Sequence, residues 1–418
     1  MLKIFLMSLT SFFLSFSLNA DSSLPKIVFM HGFKEGDFLE KKLIELVENY
    51  NKKPKAKAQV TLLAGGNYTE SFQNLLSRKI HPHVAMVSEY NNLTMHNHPD
   101  MYVPLENILD IKAISFLSVI RDFYSFDGKM VSYPFNCSAP VLYYNKDAFE
   151  KAGLPNKAPQ TWEDIEAYSN KLIAAGYGGF TFAWPTAYAL EHFAVVNNIP
   201  FASHHNGFKN PQKARLLLNN PHFIQQLTFL QTQSNRGNFI YAGEKAEDAE
   251  QLFLDQKVSI LMQGAHRFPL IQGKNPKLKI GVGPYPYKAA LVNKPYAVNI
   301  GGTSLWVMNA YPKDRTAVAD FLTYLSSAEV QAKWHQDTGY LPVTHETFDL
   351  TKKSDFYKNH PVARVGVEQI IRFPQNLPAG IRLPAYEATR KKITDMLGRI
   401  FLDNASVEKE ISVLVQEK

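Results

Sequence analysis

The chain has 418 residues, of which 45% are hydrophobic and 20% charged, a composition typical of a globular protein long enough to form two compact units. The formal net charge is +7, but the Lys and Arg residues are scattered, which excludes the clustered basic surface of a nucleic-acid-binding protein. A single cysteine, Cys137, excludes an internal disulfide, so stability must come from burial.

The N-terminal segment has the pattern of a secretory signal. Lys3 precedes an apolar run from Ile4 to Leu18, and the small residue Ala20 follows shortly after it. The run is too short to span a bilayer, and no cysteine follows it that would accept a lipid anchor. We therefore predict a signal peptide at residues 1–20 and a mature protein in the periplasm.

Strand and helix patterns alternate through the first hundred residues. Strands are predicted at Lys26–His31, Val60–Leu63 and Val84–Val87, with helical periodicity over residues 39–50 and Thr69–Leu76 between them. This β-α-β-α-β order predicts a parallel sheet with helices on both faces.

The middle of the chain begins with a polar loop near residue 134, followed by an apolar strand from Val141 to Tyr144. Thr161 and Asp164 form a predicted capping pair for the next long helix. Further elements are predicted as strands at Val258–Met262, Leu278–Val282 and Ser304–Met308, and as helices at Phe223–Thr232, 318–325, Ser327–His335, Arg390–Phe401 and Ser406–Val415. The Pro- and Gly-rich stretches Gly281–Tyr287 and Phe373–Pro384 predict crossings or loops.

Four sequence blocks carry a family resemblance. In chain order they are PFNCSAPVLYYNKDAF from Pro134, IPFASHHNGF at Ile199–Phe208, IGGTSLWVM at Ile300–Met308, and WHQDTGYLPVT at Trp334–Thr344. Together they resemble the extracellular solute-binding proteins of ABC importers, and within that family the members that bind phosphorylated glycerol. The resemblance runs over nearly the whole mature chain.

The resemblance implies an α/β fold of two lobes, similar to maltose-binding protein, with a ligand cleft between the lobes. It also implies that the chain crosses a hinge three times, and we place these crossings near Ser138, Pro284 and Gly339. The N-terminal lobe would then comprise residues 21–138 and 285–338. The C-terminal lobe would comprise residues 139–284 and 339–418.

The resemblance also implies a set of ligand contacts, which fall on Tyr68, Glu89, Ser138, Gly264, Gly302, Tyr340 and Arg390. A phosphate group would bind the Arg390 guanidinium, the hydroxyls of Ser138 and Tyr340, and the Gly302 amide. Glu89 would accept hydrogen bonds from glycerol hydroxyls, and Tyr68, together with Trp162, would form a flat wall. Carboxylate and cation would then lie at opposite ends of the cleft.

One position departs from the family pattern, because the family has a serine where this chain has Gly264. His266 and Arg267 are the candidates to replace the missing hydroxyl. Taken singly, the other positions have simpler interpretations: Glu89 as a solvated loop acid, Arg390 as a surface residue on an amphipathic helix. The four ordered blocks favour ligand contact for the set.

Enzyme and metal motifs are missing from the sequence. There is no nucleophile elbow, Walker loop or dinucleotide-binding loop, and nothing near Cys137 would activate its thiol. Histidines occur in pairs without a frame of further ligands, which favours loop residues over a metal site, at 81 and 83, 96 and 98, and 204 and 205. We predict no cofactor.

The resulting hypothesis is a non-enzymatic binding protein that captures glycerol-3-phosphate or a glycerophosphodiester. It would deliver this ligand to an inner-membrane ABC permease, whose cytoplasmic ATPase supplies the energy. Two alternatives stay open: a sugar-binding protein on the same scaffold, and a secreted phosphodiesterase.

Overall fold

The computed structural model describes residues 24–183, 186–372 and 380–416. The predicted signal peptide at residues 1–20 lies outside these residues, as do residues 373–379 of the predicted loop Phe373–Pro384. Among the described residues, no helix combines the length and the apolar character that crossing a membrane requires.

The described residues form twelve β-strands and eighteen α-helices. The strands are β1 Lys26–His31, β2 Gln59–Ala64, β3 Val84–Ser88, β4 Tyr102–Val103, β5 Ser125–Phe126, β6 Lys129–Met130, β7 Tyr133–Ser138, β8 Pro140–Asn145, β9 Phe180–Phe182, β10 Ile260–Gly264, β11 Ile280–Pro284 and β12 Gly301–Met308. The helices are α1 Phe38–Asn51, α2 Tyr68–Leu76, α3 Asn92–His96, α4 Ser118–Phe123, α5 Lys146–Lys151, α6 Trp162–Ala174, α7 Ala187–Val196, α8 Ser203–Asn206, α9 Pro221–Asn235, α10 Ala246–Leu254, α11 Phe268–Lys274, α12 Arg315–Ser326, α13 Ala328–Thr338, α14 His345–Lys353, α15 Phe356–Asn359, α16 Pro361–Ile371, α17 Tyr386–Leu402 and α18 Val407–Gln416.

The first sheet has the strand order β2-β1-β3-β12-β4, and β7 also pairs with β12. Strands β1, β2 and β3 run parallel, as the alternating pattern predicts. Strand β12, which the sequence pattern does not assign to a sheet, joins them and runs antiparallel to β3, β4 and β7. Strand β12 returns from the second sheet, so no helix of a β-α-β unit sets its direction.

The second sheet has the order β11-β8-β10-β9. Strand β8 contains the predicted run from Val141 to Tyr144 and is antiparallel to both β10 and β11. Helix α6 begins with the predicted capping box: the Asp164 amide donates to Thr161 Oγ1 at 3.0 Å, and the Thr161 amide donates to Asp164 Oδ2 at 3.1 Å.

The segment 134–138 was predicted as a polar loop and is instead the fully buried strand β7. Pairing with β12, in which Ser138 lies opposite Gly301, satisfies its backbone groups. This partner is distant in sequence, so local composition could not reveal it. Ser138 is therefore the last residue of a strand and not part of a turn.

The chain passes directly between the two sheets. Strand β7 ends at Ser138 in the first sheet, and after one residue β8 begins at Pro140 in the second. Strand β11 ends the second sheet at Pro284, and the chain re-enters the first at Gly301. Past Gly339, Leu341 forms an isolated bridge to Cys137 in the first sheet. The division into lobes at residues 138/139, 284/285 and 338/339 remains our proposal.

Candidate ligand-binding site

A cavity of about 280 Å³ lies where the ends of strands β3, β7, β10 and β12 meet helix α7. Six of the seven predicted ligand residues line it, and they come from six separate segments of the chain: Tyr68, Glu89, Ser138, Gly264, Gly302 and Tyr340. The seventh, Arg390, is buried beside the cavity and is not among the residues that line it.

Strand ends place the polar groups of the first sheet. Glu89 follows β3 directly, and its Oε2 accepts a hydrogen bond from the Gly302 amide at 3.1 Å. Gly302 has φ +122°, and a side chain there would collide with the Asn136 carbonyl, so only glycine fits. The amide that the resemblance assigns to a phosphate is therefore bonded to Glu89 in this structure.

Arg390 lies between two carboxylates. Its Nη1 is 3.1 Å from Glu191 Oε1 and 3.9 Å from Glu89 Oε1. The expectation that cation and carboxylate occupy opposite ends of the cleft is wrong, because α17 packs beside the turn that carries Glu89. The Tyr386 hydroxyl donates to Glu191 Oε1 at 2.7 Å, which completes a buried network around the guanidinium.

Burial and neighbouring charges shift the pKa values of the groups in this network. Burial raises the pKa of Glu89, while the Arg390 guanidinium and the hydroxyl donated by Tyr188 act in the opposite direction. Burial alone would lower the pKa of Arg390, but the Glu191 carboxylate and other neighbours outweigh it and raise that pKa. Arg390 is thus a fixed cation already shared by two acids.

A second polar group consists of Ser138, His266 and Tyr340. Ser138 Oγ lies 2.8 Å from His266 Nδ1. The imidazole stacks on the Tyr340 ring with centroids 4.8 Å apart and an angle of 2° between the planes. Burial lowers the pKa of His266 to about 3, assisted by the charge of Arg267, so the ring is neutral at neutral pH.

The surroundings of Gly264 explain in part how this chain differs from the family pattern, which has a serine at this position. A Cβ at position 264 would lie 2.7 Å from His266 Nδ1, so the imidazole occupies the space that a side chain there would need. Arg267 is excluded as the substitute, because it pairs with Glu250 through contacts of 2.5 and 2.7 Å. His266, in contrast, lines the cavity.

The sequence analysis missed several lining residues, among them Tyr90, Tyr188 and His192. Tyr188, Glu191 and His192 are spaced i, i+3 and i+4 in α7, so they share one face of that helix. This spacing was a usable signal. Burial lowers the pKa of His192 to about 3, and the charge of Arg390 acts in the same direction.

Trp162 does not line the cavity, contrary to the prediction. Its side chain is 1% exposed and belongs to the core of the second sheet, where it packs edge-to-face against Phe180 and Tyr285. Trp162 is the first residue of α6, and the capping box at Thr161 directs that end of the helix into the core.

The charge of the cavity surface is unusual for an anion site. Across the part of the chain that the structure describes, no Lys or Arg lines the cavity, and Glu89 is its only acid. Four tyrosines, at positions 68, 90, 188 and 340, are among the remaining polar residues that line it. The cavity therefore offers hydroxyl donors, aromatic faces and one carboxylate.

Neither a metal centre nor an activated thiol is formed by the described residues. No group of three or more His, Cys, Asp or Glu side chains within residues 24–183, 186–372 and 380–416 is arranged to hold a metal ion. Burial raises the pKa of the Cys137 thiol to about 12, which keeps it protonated and unreactive.

Among curated proteins, the chain is similar to the sn-glycerol-3-phosphate-binding periplasmic protein UgpB of Escherichia coli strain K12. The two are 36% identical over 308 residues, which is 72% of this chain and 69% of the relative. The corresponding protein of Shigella dysenteriae serotype 1 shows the same identity and coverage.

Solved structures show the same fold. UgpB from Mycobacterium tuberculosis in complex with glycerophosphocholine is 21% identical with a TM-score of 0.76, over 94% of this chain and 96% of that one. The cyclic alpha-maltosyl-1,6-maltose binding protein of Arthrobacter globiformis is 18% identical with a TM-score of 0.75, over 94% and 97%. The expected maltose-binding-protein-like fold of two lobes is confirmed.

The family model for bacterial extracellular solute-binding proteins matches residues 45–364. Relatives of this type are components of transporters and not enzymes, which removes the phosphodiesterase alternative. Solute-binding proteins of ABC importers bind small ligands and work with permease and ATPase subunits. With the match covering most of its length, the chain belongs to the bacterial extracellular solute-binding protein family and is the solute-binding component of an ABC importer.

Proposed function

We propose that this protein captures a phosphoglycerol compound in the periplasm and delivers it to an inner-membrane ABC permease driven by a cytoplasmic ATPase. The proposal rests on one observation: six positions with an expected ligand role line a single cavity, although they are distant in sequence. The printed name of the Escherichia coli relative, a glycerol-3-phosphate-binding protein, supports the same ligand class.

The Glu89–Arg390 pair suits the glycerol moiety. A carboxylate accepts hydrogen bonds from hydroxyl groups, and Glu89 lines the cavity where a glycerol diol can reach it. Arg390 lies 3.9 Å from this carboxylate, beside the cavity. In this arrangement Glu89 binds the uncharged end of the ligand, and Arg390 balances the charges of Glu89 and Glu191.

The phosphate would then be bound by neutral donors that line the cavity, namely the hydroxyls of Ser138 and Tyr340. Neutral donors suit a monoanion better than a dianion, because burying a second charge near Glu89 without a free cation is costly. A phosphate monoester carries about −1.5 to −2 charges at neutral pH, whereas a diester carries one. We therefore propose that the preferred ligand is a glycerophosphodiester.

Among diesters, glycerophosphocholine fits the remaining chemistry. A quaternary ammonium group is attracted to aromatic faces, and such contacts contribute about 0.5–2 kcal/mol. Tyr68 is the lining tyrosine proposed to supply such a face, since the rings of Tyr90 and Tyr188 already lie against the Arg390 guanidinium. Glycerophosphocholine is also the ligand named for the Mycobacterium tuberculosis structure.

Binding is coupled to closure of the lobes in this proposal. Under the proposed lobe boundaries, the contacts between the lobes include the hydrogen bond that Tyr188 donates to Glu89 and the one that Thr69 Oγ1 donates to Glu387 Oε1 at 2.7 Å. A ligand that bridges the same groups stabilises the closed form over the open one and shifts the population toward it.

Isothermal titration calorimetry with the mature protein tests the proposal. Glycerophosphocholine should bind most tightly, glycerol-3-phosphate more weakly, and maltose not at all. A thermal-shift panel with the same compounds gives an independent measure, because a true ligand stabilises its protein by mass action. Absence of heat with every phosphoglycerol compound would contradict the proposal.

The second candidate function is binding of a neutral oligosaccharide. It is favoured by the absence of a lining Lys or Arg among the described residues, and by aromatic walls that suit sugar rings. Maltose-type ligands are named for two neighbours in fold, from Arthrobacter globiformis and T. maritima. Saturable heat with maltose, and none with phosphoglycerols, would establish this function instead.

A further inference from the structure

Ser138 and His266 lie in contact at the cavity wall, with 2.8 Å between Oγ and Nδ1. We propose that the imidazole donates from Nδ1 to Ser138 Oγ, so that the serine hydrogen is presented to an anionic oxygen of the ligand. In this role His266 is a positioning residue that determines specificity, and glycine at 264 is required to admit its ring. The inference deepens the proposed function and rests on it.

Two separate segments pack against His266, one at Ser138 and the other at the consecutive residues Gly339 and Tyr340. Ser138 at the end of β7 contacts Nδ1 at 2.8 Å, and the Tyr340 ring covers one face at a centroid distance of 4.8 Å. Gly339 approaches from behind, since a Cβ at that position would lie 3.1 Å from the His266 Cα and carbonyl oxygen. A ring confined in this way does not rotate freely, so Nδ1 stays directed at Ser138 Oγ.

A side chain at position 264 would occupy the space that the His266 imidazole fills. A Cβ at 264 would lie 2.7 Å from His266 Nδ1, 2.8 Å from its Cε1 and 3.2 Å from Ser138 Oγ. Any side chain at 264 therefore displaces the imidazole from Ser138. The two positions act as a unit: glycine with histidine is one solution, and a side chain at 264 with a small residue at 266 is another.

The chemistry follows from the neutral state of the ring. A neutral imidazole carries one N–H, and a hydroxyl can donate only one hydrogen. With the proton on Nδ1, His266 satisfies the oxygen of Ser138, and the serine hydrogen remains available. An acceptor-rich phosphate in the cavity favours this tautomer, whereas a ligand that offers a hydroxyl donor favours the other.

Calorimetry with glycerophosphocholine on two substitutions tests the positioning role. His266→Ala should weaken binding about tenfold, the effect of losing one directed bond to a charged group. His266→Asn should stay within about threefold of the parent, because the asparagine amide can donate near the place of Nδ1. Equal loss in both variants, or no loss in His266→Ala, would overturn the proposal. Replacement of the exposed His345 by Ala is the matched control.

A double-mutant cycle that combines Gly264→Ser with His266→Ala tests whether positions 264 and 266 share one volume. In the parent protein, Gly264→Ser should lower both the affinity and the melting temperature. In the His266→Ala variant, the same substitution should raise both. Additive effects would overturn the inference. The melting temperatures need no ligand, so this arm also separates the two proposals. If no phosphoglycerol compound binds the parent protein, the proposed function and the ligand role of His266 fall together, while non-additive melting temperatures would still establish the shared volume.

Discussion

Glu89 is the residue on which the proposed binding chemistry depends most directly. It accepts hydrogen bonds from the Gly302 amide and the Tyr188 hydroxyl, and it lies 3.9 Å from Arg390. Its surroundings are buried, so the carboxylate is held in one orientation without a solvent shell. A ligand hydroxyl that reaches it forms a charge-assisted bond, about twice as strong as a neutral one.

Glu89→Gln should therefore reduce ligand affinity about tenfold or more, because one hydrogen bond to a charged group contributes about 1.5–3 kcal/mol. Burial raises the pKa of Glu89, so the carboxylate takes up its proton at a higher pH than an ordinary glutamate. Affinity of the parent protein should accordingly fall as the pH is lowered toward that pKa. Calorimetry at several pH values on both proteins checks this.

The variant Glu89→Gln has no such carboxylate, so this part of its pH dependence should be absent. Glu106→Gln, at an exposed position, provides the control. Unchanged affinity in Glu89→Gln at neutral pH would contradict the proposed role.

Three histidines whose pKa values are strongly lowered predict sensitivity to acid. Burial lowers the pKa of His192 and of His266 to about 3, and that of His335 to about 4. Below pH ~6.5 the unfolded chain binds protons at these positions that the folded protein does not, so stability falls as pH is lowered. Melting temperatures between pH 7.5 and 5.5 should decrease steadily.

One substitution isolates a part of this effect. His335 Nδ1 lies 2.5 Å from the Tyr340 carbonyl oxygen, and its Nε2 lies 2.9 Å from the Tyr357 hydroxyl. His335→Gln keeps a polar side chain but cannot take up a proton, so its melting temperature should depend less steeply on pH. An identical slope in both proteins would show that His335 does not contribute.

At the scale of elements, helix α6 is the one whose start is best explained by sequence. Thr161 and Asp164 form a reciprocal pair, with both bonds at about 3 Å, and Trp162 directly after the cap packs into the core. Local chemistry alone fixes this helix end, since both partners lie within four residues.

Thr161→Ala should lower the free energy of unfolding by about 1 kcal/mol, since the Asp164 amide loses its acceptor. Thr161→Ser keeps a hydroxyl at the cap and should remain close to the parent. Urea denaturation followed by circular dichroism measures both. A Thr161→Ala protein as stable as Thr161→Ser would mean that the cap is not a significant source of stability.

The start of strand β12, in contrast to that of α6, depends on residues that are distant in sequence. The apolar run Ser304–Met308 predicts a strand, but the structure extends it back to Gly301. Two consecutive glycines have low strand propensity, so no local signal marks them as strand. They adopt this conformation because β7 pairs alongside, with Gly301 opposite Ser138 and Gly302 opposite Cys137.

At the scale of the whole molecule, the Arg382 side chain connects parts of the chain that are distant in sequence. Its guanidinium carbon lies 3.9 Å from the ring centroids of both Phe126 and Phe208. Nη2 donates to the carbonyls of Phe123 at 2.8 Å and Ser125 at 2.7 Å. Under the proposed boundaries, Arg382 and Phe208 belong to the C-terminal lobe and the other three to the N-terminal lobe.

The contacts of Arg382 explain the structural role of the sequence block Ile199–Phe208. None of its residues lines the cavity. Asn206, with φ 52° in the left-handed region, accepts a hydrogen bond from the Arg382 amide at 2.9 Å through its carbonyl. The block therefore supports Arg382, which under the proposed boundaries contacts both lobes.

Arg382→Met should shift the ligand-free protein toward open conformations, because the carbonyls of the N-terminal lobe lose their donor. Small-angle scattering should show a larger radius of gyration. Apparent affinity should fall in proportion to the fraction of closed protein, with no change in the cavity itself. Arg364→Met, at an arginine whose side chain is 58% exposed, is the matched control. Unchanged scattering and affinity would contradict this role.

The sequence by itself determined the first three alternating strands and the helices between them, the cap of α6, the family, and six residues that meet in one cavity. These features depend on local pattern, or on motifs whose order survives without coordinates. Only the tertiary structure decided that residues 134–138 form a strand, that Arg390 lies between Glu89 and Glu191, and that His266 fills the space beside Gly264. Each of these depends on groups distant in sequence, and burial among such groups sets pairing, charge state and available volume in ways that local composition does not encode.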